Sequence, residues 1–131
     1  MNVKPNRARW AVRLVAIWIG LWGLPALIAI ATGLIETVRS GQGAPLWPLL
    51  LGLPSALVFF LVAAALYRFH PLGRLAGLGM LLLHMLVAAL LVYNAPPSGG
   101  PQIGVALVMV VAALAGYTTL NRSQVKALFR Y

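Results

Sequence analysis

Cysteine is absent from the 131 residues. Disulfides, thiolate metal sites and thiol catalysis are therefore excluded, and the redox compartment stays open. Acid is almost absent as well: Glu36 is the only acidic residue against ten Lys and Arg, for a net charge of +9. One acidic side chain cannot make a paired-carboxylate site. No Ser-His-Asp set, His-rich metal cluster or phosphate loop can be assembled either, so a chain with its own catalytic chemistry is not expected. No metal ion or cofactor is assigned. Charge of either sign is scarce, at 8% of residues against 62% hydrophobic, which excludes an ordinary soluble globule. No repeat at solenoid periods is visible.

What fills the chain instead is long uncharged runs. A helix needs about 20 apolar residues to cross the hydrocarbon core of a bilayer. Four stretches meet that length, at about 14–35, 46–66, 75–94 and 102–120, followed by a basic tail over 121–131. The expected fold is all-α: one domain, an integral membrane bundle of four antiparallel transmembrane helices with short loops. A basic arm precedes the first span, and Pro5 and Asn6 suit a helix start. Trp10 suits the headgroup level. Pro25 lies near the middle of the first span and should kink it. Residues 36–45 read as a turn region rich in Gly and Ser. Trp47 marks re-entry at the interface, Pro48 suits a first helical turn, and Pro54 bends the second span. A signal peptide is the rival reading of the start, with Ala29-Ile30-Ala31 as a cleavage-like site. The apolar run reaches Ile35 and exceeds the usual core of about 7–15 residues, so an uncleaved span is expected.

The stretch Tyr67-Arg68-Phe69-His70-Pro71-Leu72-Gly73-Arg74 sets the direction of every helix. It is the basic turn between two apolar runs, and cytoplasmic loops carry the excess of Lys and Arg. With the N-terminus inside, the arm, this turn and the tail place nine of the ten bases in the cytoplasm. The tenth, Arg39, stands outside beside Glu36, with which it can pair if the helix continues one more turn. A balance this basic would suggest nucleic acid in a soluble protein. Here the bases lie at helix ends, so no nucleic acid is expected. Anionic lipid of the inner leaflet is the simpler partner, contacted by Arg9, Arg13, Arg68, Arg74, Arg122, Lys126 and Arg130. In the tail, Arg122, Lys126 and Arg130 share one helical stripe, with Val125, Leu128 and Phe129 beside it. This reads as a short helix lying at the inner interface, apolar side down, or as a docking helix for a cytoplasmic partner.

The ending Tyr117-Thr-Thr-Leu120-Asn121-Arg122-Ser-Gln-Val125-Lys126-Ala-Leu128-Phe129 resembles the last span and tail of small, uncharacterised bacterial four-span membrane proteins. Many of those carry Pro-Glu where Ser123-Gln124 stands here. The resemblance covers about a tenth of the chain. It implies a bacterial inner-membrane protein and brings over no functional residue. A likeness to the four-span small multidrug transporters fails at the position that matters. Their acid lies deep in the first helix, whereas Glu36 lies at the outer end of this one.

His84 is the main candidate for a ligand contact, because it lies mid-span where ionisable groups are rare and functional by default. It could ligate haem, bond a quinone or relay a proton. The blander alternative is a neutral ring bonded to a neighbouring helix, at Ser55 or at a carbonyl freed near Pro25. Haem held by two histidines is excluded within one chain, since His70 sits in the turn. Trp18 and Trp22, one helical turn apart and deeper than the usual aromatic belt, join His84 as ligand candidates or serve as packing. Small residues recur at four-residue spacing in Ala29 with Gly33, Gly52 with Ala56, Gly73 with Gly77, and Ala112 with Gly116. Such positions let helices approach closely, and Gly73 is the weakest because it can belong to the turn. Three functions stay open: a non-catalytic accessory or structural subunit, a binder of an apolar ligand (quinone, haem or lipid) around His84, and a small permease formed by homo-oligomerisation.

Overall fold

The computed structural model describes residues 5–41, 46–96 and 98–129, and every regular element among them is a helix. They are α1 (Pro5–Leu21), α2 (Gly23–Ser40), α3 (Leu46–Tyr67), α4 (Pro71–Tyr93), α5 (Gly100–Asn121) and α6 (Ser123–Leu128). Lys4, Pro45 and Arg130, and the side chains of Trp47 and Pro48, lie outside the described residues. Three stretches are apolar and long enough to cross a membrane: Asn6–Ser40, Pro71–Tyr93 and Gly100–Asn121. The fourth apolar stretch, Gly52–Tyr67 within α3, is shorter.

The helix boundaries depart from the expected spans in three places, each with a local cause. The first span is a helix interrupted at a single residue, Trp22, whose backbone stays in the right-handed helical region at φ −70° and ψ −15°. Pro25 has no N–H for the Leu21 carbonyl and its ring crowds that carbonyl, so the break falls one turn earlier, at Trp22. There the Trp22 N–H donates to the Ile19 carbonyl at 3.2 Å, a tightened turn between the two pieces. Residues 36–40 are helical rather than a turn. Gly41, at φ 64°, ends α2 in the left-handed conformation that glycine adopts without a Cβ penalty. Although that helix carries both Glu36 and Arg39, no ion pair joins them among the described residues. The third span opens earlier than expected, at Pro71, whose fixed φ suits a first helical position. Gly73 is therefore helical and buried, outside the turn.

Packing puts small residues inside and large ones outside. The buried stripe of α4 runs Gly73, Gly77, Leu81, His84 and Ala88, and that of α5 runs Ala106, Met109, Ala113, Gly116 and Leu120. Both repeat at three- and four-residue steps, the period of one helix face. Ala8, Val12, Val15, Ala16 and Ile19 form the equivalent stripe of α1. Leu, Ile and Val on the outward faces stay widely exposed, for example Leu61, Leu75 and Val111. An apolar coat of that extent is consistent with a lipid surround. Cohesion inside then rests on close van der Waals contact. A Cβ at Gly73 would stand 2.6 Å from the backbone carbon of Ala65, and one at Gly77 would stand 2.8 Å from Leu66. The α3–α4 hairpin therefore closes backbone to backbone at the glycine the spacing argument ranked weakest.

The bundle is tighter at one end. The starts of α1 and α4 meet the ends of α3 and α5. Arg13 lies over the Tyr67 ring at 4.9 Å, and Arg74 donates from Nε to the Leu120 carbonyl at 2.9 Å. A second bond from Arg74 Nη2 to Asn121 Oδ1, at 3.1 Å, helps to cap α5. The tail also differs from expectation. Helix α6 turns its apolar side onto the bundle, not onto lipid: Val125 and Phe129 are buried in the core around α1, and Phe129 meets Phe69 edge-on at 6.0 Å. Its apolar face is thus already covered by its own chain. At the far end α2 packs on α3 and α1 alone among the described residues, apart from α4 and α5.

Candidate functional site

The three ligand candidates converge. His84, on the buried stripe of α4, is 3% exposed. Trp22, at the break between α1 and α2, meets it edge-to-face at 5.1 Å, and Trp18 meets Trp22 at 5.8 Å. Phe59 of α3 closes another side, at 6.0 Å from the imidazole. Helices α1, α3 and α4, with the residue at the α1–α2 break, thus supply one aromatic cluster. Trp22, at the interruption before Pro25, follows Trp18 by one turn and so continues its face toward α4. Trp22 also packs against Ala88, Ala106 and Met109, which joins the cluster to the α4–α5 contact.

The polar atoms of the cluster are only partly satisfied. His84 Nδ1 lies 2.7 Å from the Met80 carbonyl, one turn back in its own helix. A carbonyl only accepts, so Nδ1 carries the hydrogen and donates; in the neutral ring Nε2 is then a bare acceptor. The partner is neither Ser55 nor a carbonyl near Pro25. Ser55 Oγ is turned onto the Gly52 carbonyl of its own helix, at 2.8 Å. His84 Nε2 and Trp18 Nε1 are both buried without a hydrogen-bond partner among the described residues. One is an acceptor and the other a donor. Each orphaned group in such a place costs about 1–3 kcal/mol.

Two outward-facing grooves flank the tryptophans. One, of about 290 Å³, runs along α1 and α5 between Trp18, Ala112, Ala115 and Gly116. The other, of about 370 Å³, lies beside Trp22 and is lined by Gly104, Val105, Val108 and Met109 of α5. His84 itself lines neither groove, and the rings of Trp22 and Phe59 stand over its buried imidazole. No group of three metal-ligating side chains occurs among the described residues. Comparison with protein-family models, curated proteins and solved structures finds no match.

The residues expected to touch lipid separate into two kinds. Arg9, Arg68, Arg122 and Lys126 are exposed. Arg74 is committed to the end of α5, and Arg13 is held among the rings of Trp10, Tyr67 and Phe69 at 5.8, 4.9 and 6.0 Å. Phe59 is the member of the cluster that reading the sequence missed. It shares a stripe with the buried Ala56, Val62 and Leu66, but α3 is apolar all round, so its periodicity has no polar face to stand out against.

Proposed function

We propose that this chain is a non-catalytic protein of the bacterial inner membrane, crossing it four times with both ends in the cytoplasm. We further propose that it holds a hydroxyl-bearing apolar molecule, of quinol type, against His84. The single observation that supports the ligand is the bare, buried Nε2 of His84 between two aromatic rings. The Met80 bond fixes the ring so that only a donor completes it, which favours the hydroxyl of a reduced quinone over a carbonyl. The topology is supported by the gathering of the bases at one end, where Arg13, Arg68, Arg74 and the α6 tail meet.

Native mass spectrometry of the chain extracted gently from its host membrane tests the ligand. A retained small molecule, lost in His84→Leu while the protein stays folded, is the expected result. A bare chain carrying only phospholipid would sink the ligand. A Soret band in the absorbance spectrum would replace the quinol with haem. Reporter fusions test the topology separately: one placed after Pro101 should read as external and one after Tyr131 as internal.

A second reading, an accessory subunit packed against another membrane protein, is favoured by the open glycines. Gly33, Gly79 and Gly104 have nothing within 4 Å of where a Cβ would stand. Helix faces of this kind suit a partner helix. A larger complex in the same spectra, with no small molecule, would select that reading.

A further inference from the structure

We propose that the groove between α1 and α3 at the basic end is a site for one anionic phospholipid. Its acyl chain would lie on Ala16, Gly20, Ala63 and Ala64, and its phosphate would be held by Arg68 and Arg13. The groove has a volume of about 290 Å³ and ends at Tyr67 and Arg68. Small side chains make it: a Cβ at Gly20 would come within 3.3 Å of the Ala63 Cβ, so the two backbones run close. The surface around it is built from exposed Leu14, Ile17 and Leu61, which leaves a furrow where small residues face lipid.

Charge selects the headgroup. Arg13 lies on the same face of α1 as Ala16, Ile17 and Gly20, one turn nearer the N-terminus. Tyr67, which lines the groove, also carries the Arg13 guanidinium at 4.9 Å. Stacking on the rings of Trp10, Tyr67 and Phe69 orients that cation without neutralising it. Its Nε–H is buried with no acceptor among the described residues. Arg68 is exposed beside it. No acidic side chain is available as counter-charge, because the only one, Glu36, lies in the last turns of α2. A phosphate at the head of the groove meets Arg68 directly and draws on the unneutralised charge of Arg13 beside it, though not on the buried Nε–H, and the apolar furrow distinguishes a lipid from a free anion.

The site rests on the membrane reading above and not on the ligand at His84, so the two fail separately. The test is native mass spectrometry of the full chain in detergent, titrated with phosphatidylglycerol and phosphatidylcholine of identical acyl chains. One phosphatidylglycerol is expected to be retained in preference to phosphatidylcholine. Arg68→Gln should weaken its retention about fivefold, the effect of one basic residue at an anionic lipid. Ala64→Phe fills the groove from its exposed edge without changing charge and should also release the lipid. Arg39→Gln, at the other end, should leave retention unchanged. Equal retention of the two lipids overturns the proposal. So does equal weakening by Arg39→Gln and Arg68→Gln, full retention in Ala64→Phe, or displacement of the lipid by inorganic phosphate.

Discussion

The basic end and the far end of the bundle are built from the same apolar helices and hold together by different means. At the basic end α1, α3, α4, α5 and α6 all meet. Arginine side chains tie helix ends together there, and Phe69 and Phe129 close the tail over the core. At the far end α2 lies on α3, and α4 lies on α5. Among the described residues α2 makes no packing with α4 or α5. The boundary between the two regimes is the layer of Trp18, Trp22, Phe59 and His84. Where helix backbones touch, a single added methyl has no space to enter. Where a glycine faces outward, as Gly33, Gly79 and Gly104 do, the same substitution meets nothing within 4 Å. The face a glycine presents therefore decides its importance: a Cβ at Gly77 would stand 2.8 Å from Leu66, while one at Gly79, two residues on, meets nothing within 4 Å.

Gly73→Ala should break the tight end most severely. The new Cβ would press on Ala65 backbone at 2.6 Å, which cannot rotate away. The expected loss is about 3 kcal/mol, the upper range for an overpacked contact, read as a fall in the thermal midpoint in detergent. A wild-type midpoint would mean that the α3–α4 hairpin stands further apart. Arg74→Gln should follow, at about 2 kcal/mol, since it removes charge-assisted bonds to the Leu120 carbonyl and Asn121. Hydrogen exchange at the end of α5 should rise in that variant; unchanged protection there would show that the capping bonds contribute little. His84→Leu, at the boundary layer, should shift stability by less than about 1 kcal/mol when no ligand is bound. It removes one satisfied and one orphaned nitrogen together. A large loss would show that the ring serves as structure. Gly33→Ala at the open end is expected to gain about 0.5 kcal/mol from helix propensity alone. If it cost as much as Gly73→Ala, a second chain would have to cover that face, which would sharpen the accessory-subunit reading.

Much of this contrast was legible only in part. The run of apolar residues announced helices of membrane-crossing length, and the bases announced which ends lie together. Pro25 announced an interruption, and the break falls one turn before it because the disturbed carbonyl is that of residue 21. The tail was legible as amphipathic, but not what its apolar side would touch. Val125 and Phe129 read equally well against lipid or protein, since both are apolar surroundings. His84 stood out by its rarity and Trp18 and Trp22 by their depth. Their meeting with Phe59 depended on how α1, α3 and α4 pack against one another, a relation no spacing encodes.

Composition and charge placement by themselves determined that the chain is helical and apolar, and that one end is basic. Each of these depends on residue type summed along a segment: transfer of apolar side chains to hydrocarbon, and the pull of scattered cations toward one side. The tertiary structure alone decided which glycine carries the hairpin, which arginines are bound and which are free, and that the histidine of α4 meets Phe59 of α3 and the two tryptophans of the first span in one cluster. Those depend on distances between segments, and in an apolar medium many packings have similar hydrophobicity, so close contact between particular atoms selects among them.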